Sequence, residues 1–406
     1  MAGPLGHVRV LELSRVLAGP WAAQTLADLG ATVIKVEKPG AGDDTRAWGP
    51  PYALTRDGRQ SGESAYFLST NRGKRSVTID FVHPEGQKLV QALAARSDVL
   101  IENFKVGGLK KYGLDYASLK SLDAGLIYCS ITGFGQTGPY RDRPGYDFII
   151  QGMAGLMSIT GDPDSDRGGG PMKVGVAVAD IFTGLYATIA ILGALAHRER
   201  TREGQHIDVA LLDSQVAALA NQAMNFLVTG AAPQRLGNAH PNIVPYQTFA
   251  TSDGHIIVAV GNEGQYARMC EAAGRPELVK DERFATNASR VAHREELGAI
   301  LSEAFRARSR RHWMETLERA GVPCGPINTI ADLFADPQVR ERGMRLDLPH
   351  PIGSVPSVAN PIKYSATPIS YRCAPPILGA DTDEVLVDVL GMAPEELLRL
   401  RTAGVI

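Results

Sequence analysis

Residues 171–214, PMKVGVAVADIFTGLYATIAILGALAHRERTREGQHIDVALLDS, decide how this chain is read. The stretch opens with Val174, Val176 and Val178 in alternation, the period-two pattern of a short strand. Ile181 to Ala196 is then apolar, rich in small side chains and free of proline, as a buried helix requires. Asp180 stands at the junction among apolar neighbours, where an ionised carboxylate is costly unless something holds it. Two roles suit that place. One oxygen can cap the helix by accepting a backbone N–H from its first turn. The helix dipole can also keep the group ionised as a nucleophile toward an electrophilic carbon. The roles are compatible, because one oxygen can cap while the other reacts.

On the N-terminal side, His7–Leu13 reads as a buried strand, Gly19–Leu29 as a helix with Pro20 in its first turn, and Ala31–Glu37 as a second strand. Gly30 closes the helix. Strand, short loop, helix, glycine and strand open a parallel α/β unit. The loop Ser14–Pro20 carries no GxGxxG, which argues against a nicotinamide dehydrogenase. Lys38–Tyr66 is a long loop rich in Gly, Pro and Asp; such loops are functional or disordered, and Arg46 and Trp48 favour function. Strands at Arg75–Phe81, Asp98–Phe104 and Leu126–Thr132 alternate with helices at Pro84–Arg96 and Tyr116–Leu122, and Gly145–Met157 reads as helical. On the C-terminal side Val209–Val228 reads as one long apolar helix. The turn-rich Thr229–Asn242 marks a domain boundary, followed by a hairpin over Val244–Val260 and amphipathic helices.

Composition narrows the class. At 406 residues, 44% hydrophobic and 21% charged, the chain has an ordinary soluble composition and room for two domains. A net charge of −2 without basic or acidic blocks gives no reason to expect nucleic acid or a membrane surface as partner. Cys129, Cys270, Cys324 and Cys373 form no CxxC pair, so no metal site or disulfide framework is expected and a reducing cytoplasm is. The N-terminus lacks the pattern of a signal peptide, and Ile181–Ala196 is short and small-residue-rich for a membrane span.

Several ordered motifs then resemble one family. VGVAVADIFTGLYATIAILGAL with REGQHIDVALLDS, RVLAGP at 15–20, GATVIKVEKPG at 30–40, RGKRSVTIDF at 72–81, IENF at 101–104, CSITGFGQTGP at 129–139, RPGYD at 143–147 and PPILGADTDEVL at 375–386 are similar to the class III CoA-transferases, the family of formyl-CoA transferase and the carnitine CoA-transferases. GAGDDTRAWGPP at 40–51 and HPNIVPYQTF at 240–249 resemble the branch that exchanges CoA between succinate and other dicarboxylic acids such as glutarate. The resemblance implies an α/β fold: a Rossmann-like large domain from both chain ends, 1–228 and 331–406, with a smaller α+β domain, 229–330, inserted between them. It also implies an interlocked homodimer.

By the same resemblance Asp180 is the nucleophile, and no cofactor is tightly bound, coenzyme A thioester being a substrate. Transfer between two acids is nearly thermoneutral, and an enzyme carboxylate can relay the acyl group as an anhydride kept from water. Backbone N–H groups near Ala18 are expected to hold the oxyanion. Matched positions place Arg15, Lys38, Asn103, Phe104, Lys111 and Arg143 about the CoA, and Ile79, Asp80, Phe81 and Val82 along its adenine. Lys74 and Arg75 are further phosphate candidates. Tyr146 matches a hydrogen-bonding tyrosine beside the nucleophile, although it reads equally as a core aromatic. Gly261 and Gly264 sit where relatives carry a loop over the intermediate, or form a plain strand-to-helix turn. Arg46, Arg72 and His240 are candidates to neutralise the distal carboxylate of a dicarboxylic acid, Arg46 first, unless it pairs with Asp43 or Asp44. An α-methylacyl-CoA racemase of the same fold is the chief rival. It is weakened by Tyr146, where that branch has a histidine base, because an ordinary tyrosine is a poor base. The others are a transferase with a non-dicarboxylate acceptor and a CoA-binding protein with a dead site.

Overall fold

The computed structural model describes residues 3–406. Six parallel strands form the central sheet: β1 (Arg9–Glu12), β2 (Thr32–Glu37), β3 (Lys74–Thr78), β4 (Val99–Glu102), β5 (Ile127–Thr132) and β6 (His206–Ala210). Their spatial order is β3-β2-β1-β4-β5-β6. That is an order of doubly wound α/β sheets, in which ligands bind outside the carboxyl ends of the strands where the order reverses. Here the reversal lies between β1 and β4.

Successive strand residues face opposite sides, and helices cover both, so the strands read as continuous apolar runs. On one face Val10, Val33, Ile101 and Cys129 pack under α1 (Ala18–Asp28) and α4 (Val178–Thr201). On the other, Leu11, Ile34, Val77 and Leu100 pack under α2 (Pro84–Ala94) and the C-terminal helices α10 (Thr382–Leu390) and α11 (Pro394–Thr402). The chain end is stitched to β3: Ser76 N–H donates to the Asp381 carboxylate at 2.8 Å, Asp381 N–H to the Ser76 carbonyl at 3.0 Å, and Asp80 N–H to the Val405 carbonyl at 2.8 Å.

The stretch quoted first differs from its reading in two places. Residues 174–177 are not a strand. Val174 N–H donates to the Gln151 side chain at 2.9 Å rather than to a sheet, Val176 is exposed, and the helix starts at Val178. The alternation therefore marks an irregular segment held by a buried glutamine. Second, Val209–Val228 is not one helix. Val209 and Ala210 finish the edge strand β6, α5 (Leu211–Ala217) follows, and Ala220, at φ +46°, breaks the chain before α6 (Ala220–Thr229). The helix α4 runs 24 residues, longer than the expected core segment, and by length and composition alone is long and apolar enough to cross a membrane. It buries Ala179, Thr183, Gly184, Ala187, Thr188 and Ile191 against the rest of the fold.

The chain divides into two compact units: residues 3–156, 174–224 and 337–406, and residues 157–173 with 225–336. Residues 157–173 thus group with the second unit rather than with the N-terminal part. That unit holds a three-stranded antiparallel sheet, β7 (Tyr246–Thr251), β8 (Gly254–Ala259) and β9 (Cys324–Pro326). It packs on α7 (Glu263–Ala272), α8 (Arg294–Arg306) and α9 (Arg310–Arg319) through Phe249, Tyr266, Leu301, Phe305 and Trp313.

Candidate active site

The loops after β1 and β4 meet at the switch point. Asn103 clamps Arg15 from both sides: its carbonyl oxygen accepts the Arg15 N–H at 2.9 Å and its amide donates to the Arg15 carbonyl at 2.7 Å. A cleft of about 610 Å³ opens there, lined by Arg15, Ala18, Phe81, Val82, Asn103, Phe104, Lys111, Arg143, Tyr146 and Asp180. A second hollow of about 370 Å³ shares Arg15, Phe81, Val82 and Phe104 with it and adds Lys38, Ile79 and Asp80. Thirteen sequence candidates from seven separate segments thus line one continuous site.

Asp180 is the third residue of α4, half-buried, and not its N-cap; that position is Ala177, which has no capping side chain. The cap comes from Asp147 at the start of α3 (Asp147–Met153). One of its oxygens accepts the Ala179 N–H at 2.8 Å and the other accepts from the Gln151 amide at 2.8 Å. With capping done by a neighbour, Asp180 is free for other work. The backbone N–H that favours its charged form is that of Ala18, the first residue of α1, which lines the same cleft. The α1 N-cap, Leu17, has no polar side chain to offer, so an orphan donor at the positive end of α1 lies in the cleft that holds the Asp180 carboxyl.

The expected ionisation by the helix dipole is outweighed. Burial, and secondly the Asp147 charge, push the Asp180 carboxyl up from 3.8 to about 7, against the opposing Ala18 N–H. Tyr66, which the sequence reading did not single out, stands in the same field. Burial and then the charges of Asp180, Asp147 and Asp43 raise its phenol to about 12, so it remains a hydrogen-bond donor. Its ring meets Trp48 edge-on at 5.1 Å. Tyr66 closes the Lys38–Tyr66 loop, and nothing in its local pattern points back to a residue more than a hundred positions away.

The other candidates are placed elsewhere. The Arg46 guanidinium grips Glu37 through two bonds of 2.8 Å, reaches the Pro376 carbonyl at 3.1 Å and lies over the Phe67 ring at 3.6 Å. Its partner is therefore Glu37, not Asp43 or Asp44, and its remaining nitrogen, Nη1, stands 3.6 Å from the Glu63 carboxylate. Arg72 is buried against Asp28 through bonds of 2.9 and 2.6 Å. The Lys74 ammonium is wholly buried between Glu12, the Pro20 carbonyl and Asn71, and Arg75 pairs with Glu384, so neither faces a phosphate. His240, Gly261 and Gly264 belong to the second unit. The His240 Nδ1 accepts from Asn242 N–H at 3.1 Å, and burial followed by Arg294 lowers its pKa. Gly261 N–H donates to the Gln265 side chain, Asn262 caps α7, and Glu263 pairs with buried Arg290, which makes this a capped strand-to-helix turn.

Fold and cleft define a doubly wound α/β protein whose half-buried Asp180 carboxyl shares a cleft with the cations Arg15, Lys111 and Arg143. The profile of CoA-transferase family III matches residues 5–382, and the chain belongs to that family. It is 56% identical over 387 residues to the succinate–glutarate CoA-transferase of Agrobacterium fabrum, covering 95% of this chain and 96% of that one. It is 44% identical over 404 residues to the human succinyl-CoA:glutarate CoA-transferase, covering 99% and 90%. Among solved structures it is similar to a CAIB/BAIF family protein from Brucella suis, with 54% identity, a TM-score of 0.84 and coverage of 96% and 100%. The chain is a CoA-transferase, and CoA thioesters are its substrates.

Proposed function

We propose that this enzyme moves CoA from succinyl-CoA to a dicarboxylic acid such as glutarate, with Asp180 as covalent relay. The observation that carries the reading is the half-buried Asp180 carboxyl, relieved of capping by Asp147 and sharing the cleft with the Ala18 helix start. An Asp180 oxygen attacks the thioester carbonyl carbon; the C–S bond breaks and CoA thiolate leaves, giving an aspartyl–succinyl anhydride. The thiolate attacks the aspartyl carbonyl and succinate departs with the bridging oxygen, leaving aspartyl-CoA thioester. The acceptor carboxylate then attacks that carbonyl, and thiolate is expelled and returns to the acceptor's acyl carbon. New thioester forms and Asp180 is regenerated, with no net proton exchanged. In each tetrahedral state the Ala18 N–H, freed from the carboxyl, donates to the oxyanion.

Lys38, Lys111 and Arg143 are the cations we assign to the CoA phosphates, and Ile79 to Val82 the wall we assign to adenine. With Arg46 engaged by Glu37 and Glu63 and Arg72 by Asp28, Arg15 becomes the guanidinium for a distal carboxylate. It lines both hollows, and its present tie to Asp44 at 2.8 Å is an exposed pair of little energetic weight. Exposed Leu185, Tyr186, Ile189 and Leu192 on α4 support an interlocked homodimer, and four free thiols suit a reducing cytoplasm. An acceptor screen with succinyl-CoA, read by the mass of new acyl-CoA, tests the reading. Glutaryl-CoA with wild type and none with Asp180→Ala supports it. Scrambled stereochemistry of a branched acyl-CoA, without transfer, overturns it in favour of a racemase.

A further inference from the structure

The turn that presents Ala18 is strained. Val16 has φ +72°, a left-handed conformation that a β-branched residue adopts only when its surroundings hold it there. Besides the Asn103 clamp on Arg15, two grips converge on one buried ammonium. Val16 N–H donates to the Asp43 carboxylate at 3.2 Å, and Asp43 in turn meets Lys35 at 3.0 Å. The Lys35 ammonium also donates to the Ser14 carbonyl at 2.8 Å and to Glu12 at 3.2 Å. Its side chain has no solvent exposure. Burial works against its charge, but Glu12, Asp43 and Glu37 outweigh that and hold the ammonium protonated.

We propose that Lys35 is a positioning residue for the transfer reaction: by holding the Ser14 carbonyl directly and Val16 through Asp43, its ammonium fixes the strained turn so that the Ala18 N–H faces Asp180. A buried ion cluster is poor evidence of stabilisation for its own sake, because desolvation offsets the attraction. The grip on the strained residue's own N–H and on the carbonyl two positions before it gives this one a different use. The inference rests on the reading of Asp180 as nucleophile. Lys35→Met leaves the Ser14 carbonyl without its donor and the buried Asp43, still bonded by Thr45, without its cation, so the turn relaxes and the oxyanion donor drifts. Losing such a donor slows chemistry by about a hundredfold, with ground-state binding little changed. The Ala18 N–H also favours the charged form of Asp180, against Asp147 and the buried setting. Its loss therefore moves the acid limb of the kcat/KM profile to higher pH, which a merely structural defect does not do.

The test compares wild type, Lys35→Met, Asp43→Asn and the core control Leu400→Ala with succinyl-CoA and glutarate across neutral pH. Asp43→Asn keeps an acceptor for Val16 N–H and weakens only the tie to Lys35, so it decides the matter if Lys35→Met does not fold. Expected are falls in kcat of about a hundredfold and about tenfold, KM for succinyl-CoA within about twofold, and an acid limb moved upward in both. Leu400→Ala loses activity only with its folded fraction and keeps the wild-type limb. Wild-type transfer that survives Asp180→Ala sinks the nucleophile reading and this inference with it. Transfer that needs Asp180 yet keeps wild-type kcat and acid limb in the Lys35 and Asp43 variants sinks the inference alone.

Discussion

Replacing Asp180 by its neutral isostere should abolish transfer and stabilise the protein. The carboxyl titrates at about 7 in the fold instead of 3.8, so the folded state binds its proton more tightly than the unfolded chain does. Because the folded value is raised, the group costs nothing below pH 4. Its cost grows between 3.8 and 7 and is complete above 7. At about 1.4 kcal/mol per pH unit the full cost is roughly 4 kcal/mol, or nearer 2 to 3 once the partial solvent access of a half-buried side chain is allowed for. Asp180→Asn removes it. Thermal melts of wild type and variant at pH 8, 6.5 and 5 measure the effect. At about 2 °C or more per kcal/mol, the variant should melt several degrees higher at pH 8, with the gain shrinking steadily toward pH 5. A variant that melts lower than wild type at pH 8, or a gain that ignores pH, refutes the picture of a carboxylate held charged against its surroundings.

The same titration governs turnover. The kcat/KM for succinyl-CoA should fall on the acid side of about pH 7 with unit slope, as Asp180 takes up the proton that removes its nucleophilicity. Arg46→Ala should act on stability rather than on acceptor binding. It leaves buried Glu37 without its bidentate partner, at a cost of about 3 to 5 kcal/mol, and KM for glutarate measured on the folded fraction should stay unchanged. Gly19→Ala places a methyl 2.2 Å from the Ser14 hydroxyl oxygen and should destabilise the turn; adding Ser14→Gly removes the clash, and a melt of the double variant should recover most of the loss.

Local pattern carried the sheet. His7–Leu13, Ala31–Glu37 and Leu126–Thr132 announce buried parallel strands because both their faces are covered, and Gly30 ends α1 at φ +105°. The motif resemblance carried Asp180 and its neighbours into one cleft although they come from distant segments. What stayed hidden is set by long-range contacts. Val174 to Val178 alternates like a strand, but its backbone is claimed by Gln151, which accepts from the Val174 N–H and donates to the Val176 carbonyl. Arg46 looked free in a Gly-rich loop, whereas Glu37 at the end of β2 had already engaged it. Lys35 and Glu12 left a trace, as charged residues inside apolar strands, and only the fold shows that they serve one turn.

The covalent relay is tested most directly by following oxygen. One turnover is run with succinyl-CoA and glutarate carrying heavy oxygen in its carboxylates, and the peptide holding Asp180 is then weighed. The relay predicts that Asp180 keeps one heavy oxygen, the bridging atom left behind when thiolate takes the glutaryl group, and that this atom leaves in succinate on the next turnover. Heavy oxygen appearing in succinate in the first turnover while Asp180 stays unlabelled would mean that the two acids exchange CoA directly, and the central claim would be wrong.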